Sequence, residues 1–160
     1  MKKKWLAASL ACVLGLSFLL AGCGGGQTQG DDSWKKVEDK GLLIVGLDVN
    51  FPPMGFMDEN NSIVGFDVDM AMAVGKKLGV TVQLNPINWK AKEMELDAGK
   101  VDLLWNGYTI NEERKEKVLF SDPYLTNRQV IVVKEESAIT KKAELAGIQV
   151  GVQNGSTAVD

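Results

Sequence analysis

The stretch GFDVDMAMAVGKKLGVTVQL, residues 65–84, decides how the chain is read. In its first part Phe66, Met70, Ala73, Val74 and Lys77/Leu78 recur at helical spacing. Asp67 and Asp69 stand at the start, where the backbone dipole favours negative charge. Lys76 and Lys77 fall in the last turn, and Gly79 follows as a stop signal. Gly75 inside the helix costs about 1 kcal/mol against alanine, so the sequence predicts close packing there. From Val80 the pattern changes to a β-rich run, Val80 to Leu84. Helix passing directly into strand is the alternation that argues a parallel α/β sheet.

The alternation extends in both directions. Leu42 to Leu47, LLIVGL, reads as a buried strand that ends at Asp48, and Phe51-Pro52-Pro53 breaks the chain. Phe56-Met57 and Ile63-Val64 flank DENNS as a hairpin. Trp89 to Ala98 reads as a helix with a thin stripe of Ala91, Met94 and Ala98, ended by Gly99. Val101 to Trp105 is a third strand, and Asn111 to Val118 a short helix. Arg128 to Val133 and Gln149 to Val152 read as two further strands. The closing GVQNGSTAVD is a strand, a Gly-containing turn and a Ser/Thr helix start that runs for about one turn. That is too short to be stable alone, so the expectation is a fragment, or a chain lacking a partner for its final strand.

The chain has 160 residues, 45% hydrophobic and 24% charged, which is globular composition. Residues 1–22 read as a secretion signal: MKKK is a positive n-region and WLAASLACVLGLSFLL an apolar core short for a membrane span. A single transmembrane anchor is the competing reading, but GGGQTQGDDS follows with no stop-transfer charges. Residues 23–33 read as a flexible tether. Formal net charge is −3, and no basic block is present, which argues against nucleic acid as a partner. Histidine is absent, so the commonest general base and metal ligand is missing. No metal site and no cofactor are expected.

In an open α/β sheet ligands bind outside the carboxyl ends of the strands. There the first strand presents Asp48, with Phe51 after it. The second is followed by Trp89, the third by Asn106, Gly107, Tyr108, Thr109 and Arg114, and the last by Gln153 to Thr157. Arg114 is either a bidentate clamp on a carboxylate or a surface arginine paired with Glu112 or Glu113. Trp89 and Phe51 are walls of an apolar slot or core packing. Asp48 accepts a ligand ammonium or caps the turn before Pro52. NEERKEK reads as a solvated helix face.

From about Trp34 onward the chain resembles the amino-acid-binding proteins of ABC importers, the polar amino-acid family of extracytoplasmic solute-binding proteins. The matching stretches are LLIVGLDVNFPPMGF, GFDVDMAMAVGKKLGV, GKVDLLWNGYTINEERKEKVLFSDPY and IQVGVQNGSTA. LAGC, residues 20–23, resembles a bacterial lipoprotein signal, which implies cleavage before a diacylated Cys23 and a membrane partnership through that lipid anchor. The resemblance implies two α/β lobes joined by a hinge. The first lobe would span 34–123, the hinge 124–128 and the start of the second lobe 129–160. Arg114 would bind the ligand α-carboxylate, with Thr109 and the backbone at Gly107 assisting. Asp48 and Phe51 would face the ligand, Trp89 would sandwich it, and Gln153, Ser156 and Thr157 would contribute from the second lobe. Family members continue well past this length, so the second lobe is expected to be incomplete. The implied function is reversible capture of a free polar amino acid by a monomer that delivers it to ABC permease subunits. The alternatives are a dehydratase on the same fold, for which Asp48 is the obvious acid/base group, a sensor domain, and an inactive truncated product.

Overall fold

The computed structural model describes residues 32–159. The expected signal segment, 1–22, and the lipidation candidate Cys23 lie outside the described residues. Helix α1, Ser33–Lys40, opens the described chain and buries Val37. Ser33 therefore belongs to a helix and not to the tether expected to reach it.

Strand β1, Leu42–Leu47, follows with Leu43, Val45 and Leu47 almost wholly buried. Next come β2 (Asn50–Phe51), β3 (Gly55–Met57) and β4 (Ile63–Val64), an antiparallel sheet in the order β2-β3-β4. The hairpin expected around DENNS is its β3–β4 half: Phe56 pairs with Val64 and Met57 with Ile63. Asp58 holds the turn, its Oδ1 accepting from the Asn60 and Ser62 amides at 2.8 Å each.

Helix α2, Phe66–Leu78, is capped by Gly79 in the left-handed region (φ 75°). A Cβ there would cost an ordinary residue conformational energy that glycine does not bear. The buried face is rotated from the expected stripe. Val68, Ala71 and Gly75 are buried, while Phe66 and Met72 stay over 40% exposed. Small residues decide this. A Cβ on Gly75 would lie 2.2 Å from Val82 Cγ2, so the helix meets the sheet through backbone, as the cost of that glycine predicts.

Strand β5, Thr81–Pro86, pairs parallel with β1 from Leu42↔Thr81 to Leu47↔Pro86. A 3-10 turn, Trp89–Ala91, then enters helix α3, Lys92–Asp97. The stripe expected on this helix is also corrected: Met94 is 64% exposed, and Trp89 and Lys92 are the buried positions. Strand β6, Leu103–Leu104, pairs parallel with β1 through Val45 and Gly46, so the parallel sheet runs β5-β1-β6. The chain thus leaves β1 in one direction to reach β5 and returns past it to reach β6. Right-handed crossovers taken in opposite directions put α2 and α3 on opposite faces. That makes the carboxyl end of β1 a topological switch point, where a crevice opens.

Helix α4, Glu112–Lys115, is shorter than expected. The strands expected at 128–133 and 149–152 do not form. Neither joins a ladder, and Val130, Val132 and Val150 are at least half exposed. A β-rich run becomes a strand only when a neighbour takes up its backbone groups, and among the described residues these two runs have no such neighbour.

Candidate functional site

Asp48 leaves β1 at the switch point and is buried, 6% exposed. Its Oδ1 accepts from the Asn50 amide at 2.9 Å, so it does cap the turn ahead of Pro52. Its Oδ2 accepts from the Gln153 side-chain amide at 2.6 Å. Together with Asn50, Trp89, Gln153 and Asn154, Asp48 lines a cleft of about 430 Å³, a size suited to a small molecule.

The β6 end forms a second wall, whose residues are not among those lining that cleft. Asn106 is buried, and its Oδ1 has no hydrogen-bond partner among the described residues. Gly107 lets the Phe51 ring approach closely: a Cβ there would sit 2.6 Å from Phe51 Cε1, and the ring would have to shift. Phe51, 40% exposed, thus lies against the Gly107 backbone and is not core. Thr109 Oγ1 accepts from the Asn127 side chain at 2.7 Å.

Arg114 sits in the first turn of α4, whose Asn111 cap accepts from the Arg114 amide at 2.9 Å. The neighbouring acids take lysines instead: Glu112 pairs with Lys115 and Glu113 with Lys117. The side chain of Arg114 is 8% exposed and forms no ion pair among those described. Its Nη1 donates to Thr109 O at 2.9 Å, its Nη2 donates to Gly155 O at 3.1 Å, and the guanidinium lies 4.8 Å from the centre of the Tyr108 ring. NEERKEK is therefore a solvated face on every side except the one carrying Arg114.

Trp89 is 7% exposed and meets Tyr108 edge-on at 5.5 Å. Beside both rings lies Lys92, a residue that the sequence reading passed over. It is 3% exposed, with Nζ 5.2 Å from the Trp89 ring centre and 5.3 Å from that of Tyr108. Lys92 donates to Trp89 O and to Gly155 O and pairs with Glu93 at 3.1 Å. Glu93 also accepts from Tyr108 Oη at 2.6 Å. Burial pushes the Glu93 carboxyl up, but the Tyr108 hydroxyl, the backbone and Lys92 outweigh it and hold it below the usual range. Burial and Glu93 raise the Tyr108 hydroxyl well above a normal phenol, so it remains a donor. The available signal was a lysine three residues after Trp89, on the same helical face as a buried aromatic.

The 153–157 turn folds onto this wall through Gln153 and Gly155. Ser156 Oγ donates to Gln153 O at 2.8 Å, and Thr157 Oγ1 accepts from Gln129 at 2.8 Å. The structure thus brings Asp48, Trp89 and Gln153 to one cleft and joins Thr109, Arg114 and Gly155 by hydrogen bonds. Among the described residues Ser156 and Thr157 bond only within the 129–159 region. No group of three or more His, Cys, Asp or Glu able to hold a metal occurs among the described residues.

Residues 43–158 match the model of the bacterial extracellular solute-binding proteins, family 3. The chain is 37% identical over 154 residues to the arginine-binding extracellular protein ArtP of Bacillus subtilis (strain 168), covering 96% of this chain and 57% of that protein. It is 37% identical over 123 residues to the L-cystine-binding protein TcyJ of Escherichia coli (strain K12), covering 76% and 46%. Its fold matches an ABC uptake transporter substrate-binding protein from Streptococcus pneumoniae with bound histidine. The TM-score is 0.78 at 45% identity, over 82% of this chain and 53% of that one. It also matches the arginine-bound form of domain 1 from TmArgBP, with a TM-score of 0.55 at 44% identity over 56% of this chain and 71% of that one. The chain spans about half the length of the curated relatives it matches. Sheet order, crevice and sequence agree, and the chain belongs to the bacterial extracellular solute-binding proteins, family 3.

Proposed function

We propose that this chain carries the amino-acid site of an extracytoplasmic receptor that delivers one free polar amino acid to the permease of an ABC importer. The observation that carries the reading is Arg114, a buried guanidinium whose described hydrogen-bond acceptors are two neutral carbonyls. A buried cation is costly unless an anion answers it. A ligand α-carboxylate supplies that anion with charge-assisted hydrogen bonds. Asp48 is the matching acceptor for the ligand ammonium. Phe51 and Trp89 flank the ligand side chain, Asn106, Gly107 and Thr109 contribute polar edges, and Gln153, Ser156 and Thr157 approach from the other side.

The relatives support this reading. Those matched are named for binding arginine, cystine and histidine, which favours a receptor over the dehydratase alternative. Domain 1 from TmArgBP on its own is described as arginine-bound, which supports ligand contacts residing largely in the part of the fold that this chain shares. The polar lining of the cleft, Asp48, Asn50, Gln153 and Asn154, favours a polar side chain. Capture and release of this kind needs no metal or cofactor. We place the receptor outside the cytoplasm as a monomer, anchored by acyl chains on Cys23.

The test is a thermal-unfolding scan against each of the twenty amino acids, with Arg114→Ala beside it. A ligand at 100 times its Kd adds about 2.7 kcal/mol to stability and raises the midpoint by several degrees. The expected result is a rise with one or a few polar amino acids that Arg114→Ala loses. No rise with any amino acid overturns the receptor reading, and a rise retained in Arg114→Ala moves the carboxylate elsewhere. For the anchor, incorporation of a labelled fatty acid is expected to disappear in Cys23→Ser.

A further inference from the structure

Lys92 is unusual on its own terms. A fully buried lysine is rare unless paired, and this one has three donors with three described acceptors. They are Trp89 O at 3.3 Å, Glu93 Oε1 at 3.1 Å and Gly155 O at 3.1 Å. Two of these belong to its own helical turn and travel with it. The third belongs to a turn 63 residues away. Arg114 reaches the same oxygen, also at 3.1 Å. One neutral carbonyl oxygen is thus held by two buried cations from different elements.

We infer that Lys92 and Arg114 together form the carboxylate seat of the amino-acid site, and that Gly155 O occupies that seat as an internal stand-in for a ligand carboxylate oxygen. The inference rests on the receptor reading and adds a second cation to it. Charge fixes the class of ligand group. Glu93 neutralises Lys92 at 3.1 Å, while Arg114 has no acid in ion-pair contact among the described residues. The seat therefore carries one net positive charge, which matches one carboxylate. When Gly155 O withdraws, one N–H of Lys92 and one of Arg114 lose the same acceptor. Neither can be left unanswered in a buried setting without a large desolvation cost. A carboxylate oxygen fits both donors and, being charged, binds them more strongly than the amide carbonyl it replaces. The seat then selects for ligands with a free carboxylate, and Gly155 O yields the seat to them while Gln153, Ser156 and Thr157 stay on the ligand's other side.

The test is calorimetric titration of the full chain with L-arginine, L-histidine and L-glutamine and with their carboxamides, in which the carboxylate is neutral. Lys92→Met is paired with the Lys92→Met/Glu93→Gln double variant, which keeps the local charge sum and leaves no unpaired acid. Circular dichroism of each variant checks that it is folded. The expected result is that wild type prefers the acid to the amide, and that the double variant loses about 10- to 100-fold in affinity for the acid while its affinity for the amide holds. Equal affinities of wild type and the folded double variant for the acid overturn the role of Lys92 and leave the receptor reading standing. If none of the three acids binds wild type but another amino acid raises its unfolding midpoint, that amino acid and its carboxamide replace the probes. If no amino acid binds wild type by either measurement, the receptor reading falls and the seat falls with it.

Discussion

The side-chain amide of Gln153 donates to Asp48 Oδ2 across 2.6 Å and ties together residues 105 apart in the chain. Asp48 is fixed by its own turn, so the bond holds the 153–157 turn and not the reverse. Asp48→Ala is expected to release that turn. Limited proteolysis read by mass spectrometry should then cut the 146–157 stretch about ten times faster, the equivalent of one lost hydrogen bond to a charged group. An unchanged cleavage rate would mean that Gly155, not Gln153, anchors the turn.

Gly75→Ala sets two effects against each other. Alanine gains about 1 kcal/mol of helix propensity. The added methyl meets Val82 Cγ2 at 2.2 Å and Val80 O at 3.2 Å, and overpacking of this kind costs roughly 1–3 kcal/mol. The clash is with the sheet itself, so overpacking wins. A net loss of about 1 kcal/mol or more is expected in urea unfolding, and a stabilised variant would sink the close-packing account of α2.

Asn111→Ala removes the cap of α4. A loss of about 1 kcal/mol is expected from the cap alone. The capped amide is that of Arg114, so ligand affinity should fall too, whereas Asn111→Asp should keep both. Denaturant midpoints and titration calorimetry on the two variants separate the effects.

Two acids, Glu93 partly buried and Asp67 buried, give opposite pH dependence. The carboxyl of Glu93 is held below its usual value in the folded state, so its contribution is full above the unfolded value of 4.5 and is lost as pH falls through the folded one. Glu93→Gln should therefore be less stable than wild type at pH 7, with the gap closing in acid. Asp67 is raised by burial, only partly offset by the Tyr124 hydroxyl at 2.7 Å. Its contribution is full below 3.8 and is lost as pH rises through the folded value, so Asp67→Asn should flatten the decline above pH 4. Unfolding midpoints from pH 3 to 7 check both signs.

Much of the frame was legible because it is local. LLIVGL, the DENNS turn and the 66–78 helix with its Gly79 stop each carry their signal within a dozen residues. The helix faces were less legible. Which side of α2 or α3 goes down depends on Gly75 meeting Val82 and on Lys92 meeting Tyr108 and Gly155 O, contacts that periodicity alone does not contain. Helix α1 was missed because its buried side is little more than Val37. The runs at 128–133 and 149–152 have strand composition, yet a ladder is a property of pairs of segments. In the candidate site Arg114 was legible from the Asn111 cap and the motif around it. Lys92 was not, because a lysine in a polar stretch looks solvated until its tertiary partners are known.

Those two runs, at 128–133 and 149–152, have a practical consequence. The first presents valine and isoleucine side chains and the second valines, beside backbone groups that no ladder holds, a pattern that templates strand addition by any extended chain nearby. Val130 and Val132 are 74% and 86% exposed. Recovery of soluble material should therefore depend on concentration and temperature during synthesis as much as on the strength of the core, and lysine placed at Val130 or Val132 should raise the yield without touching the amino-acid site.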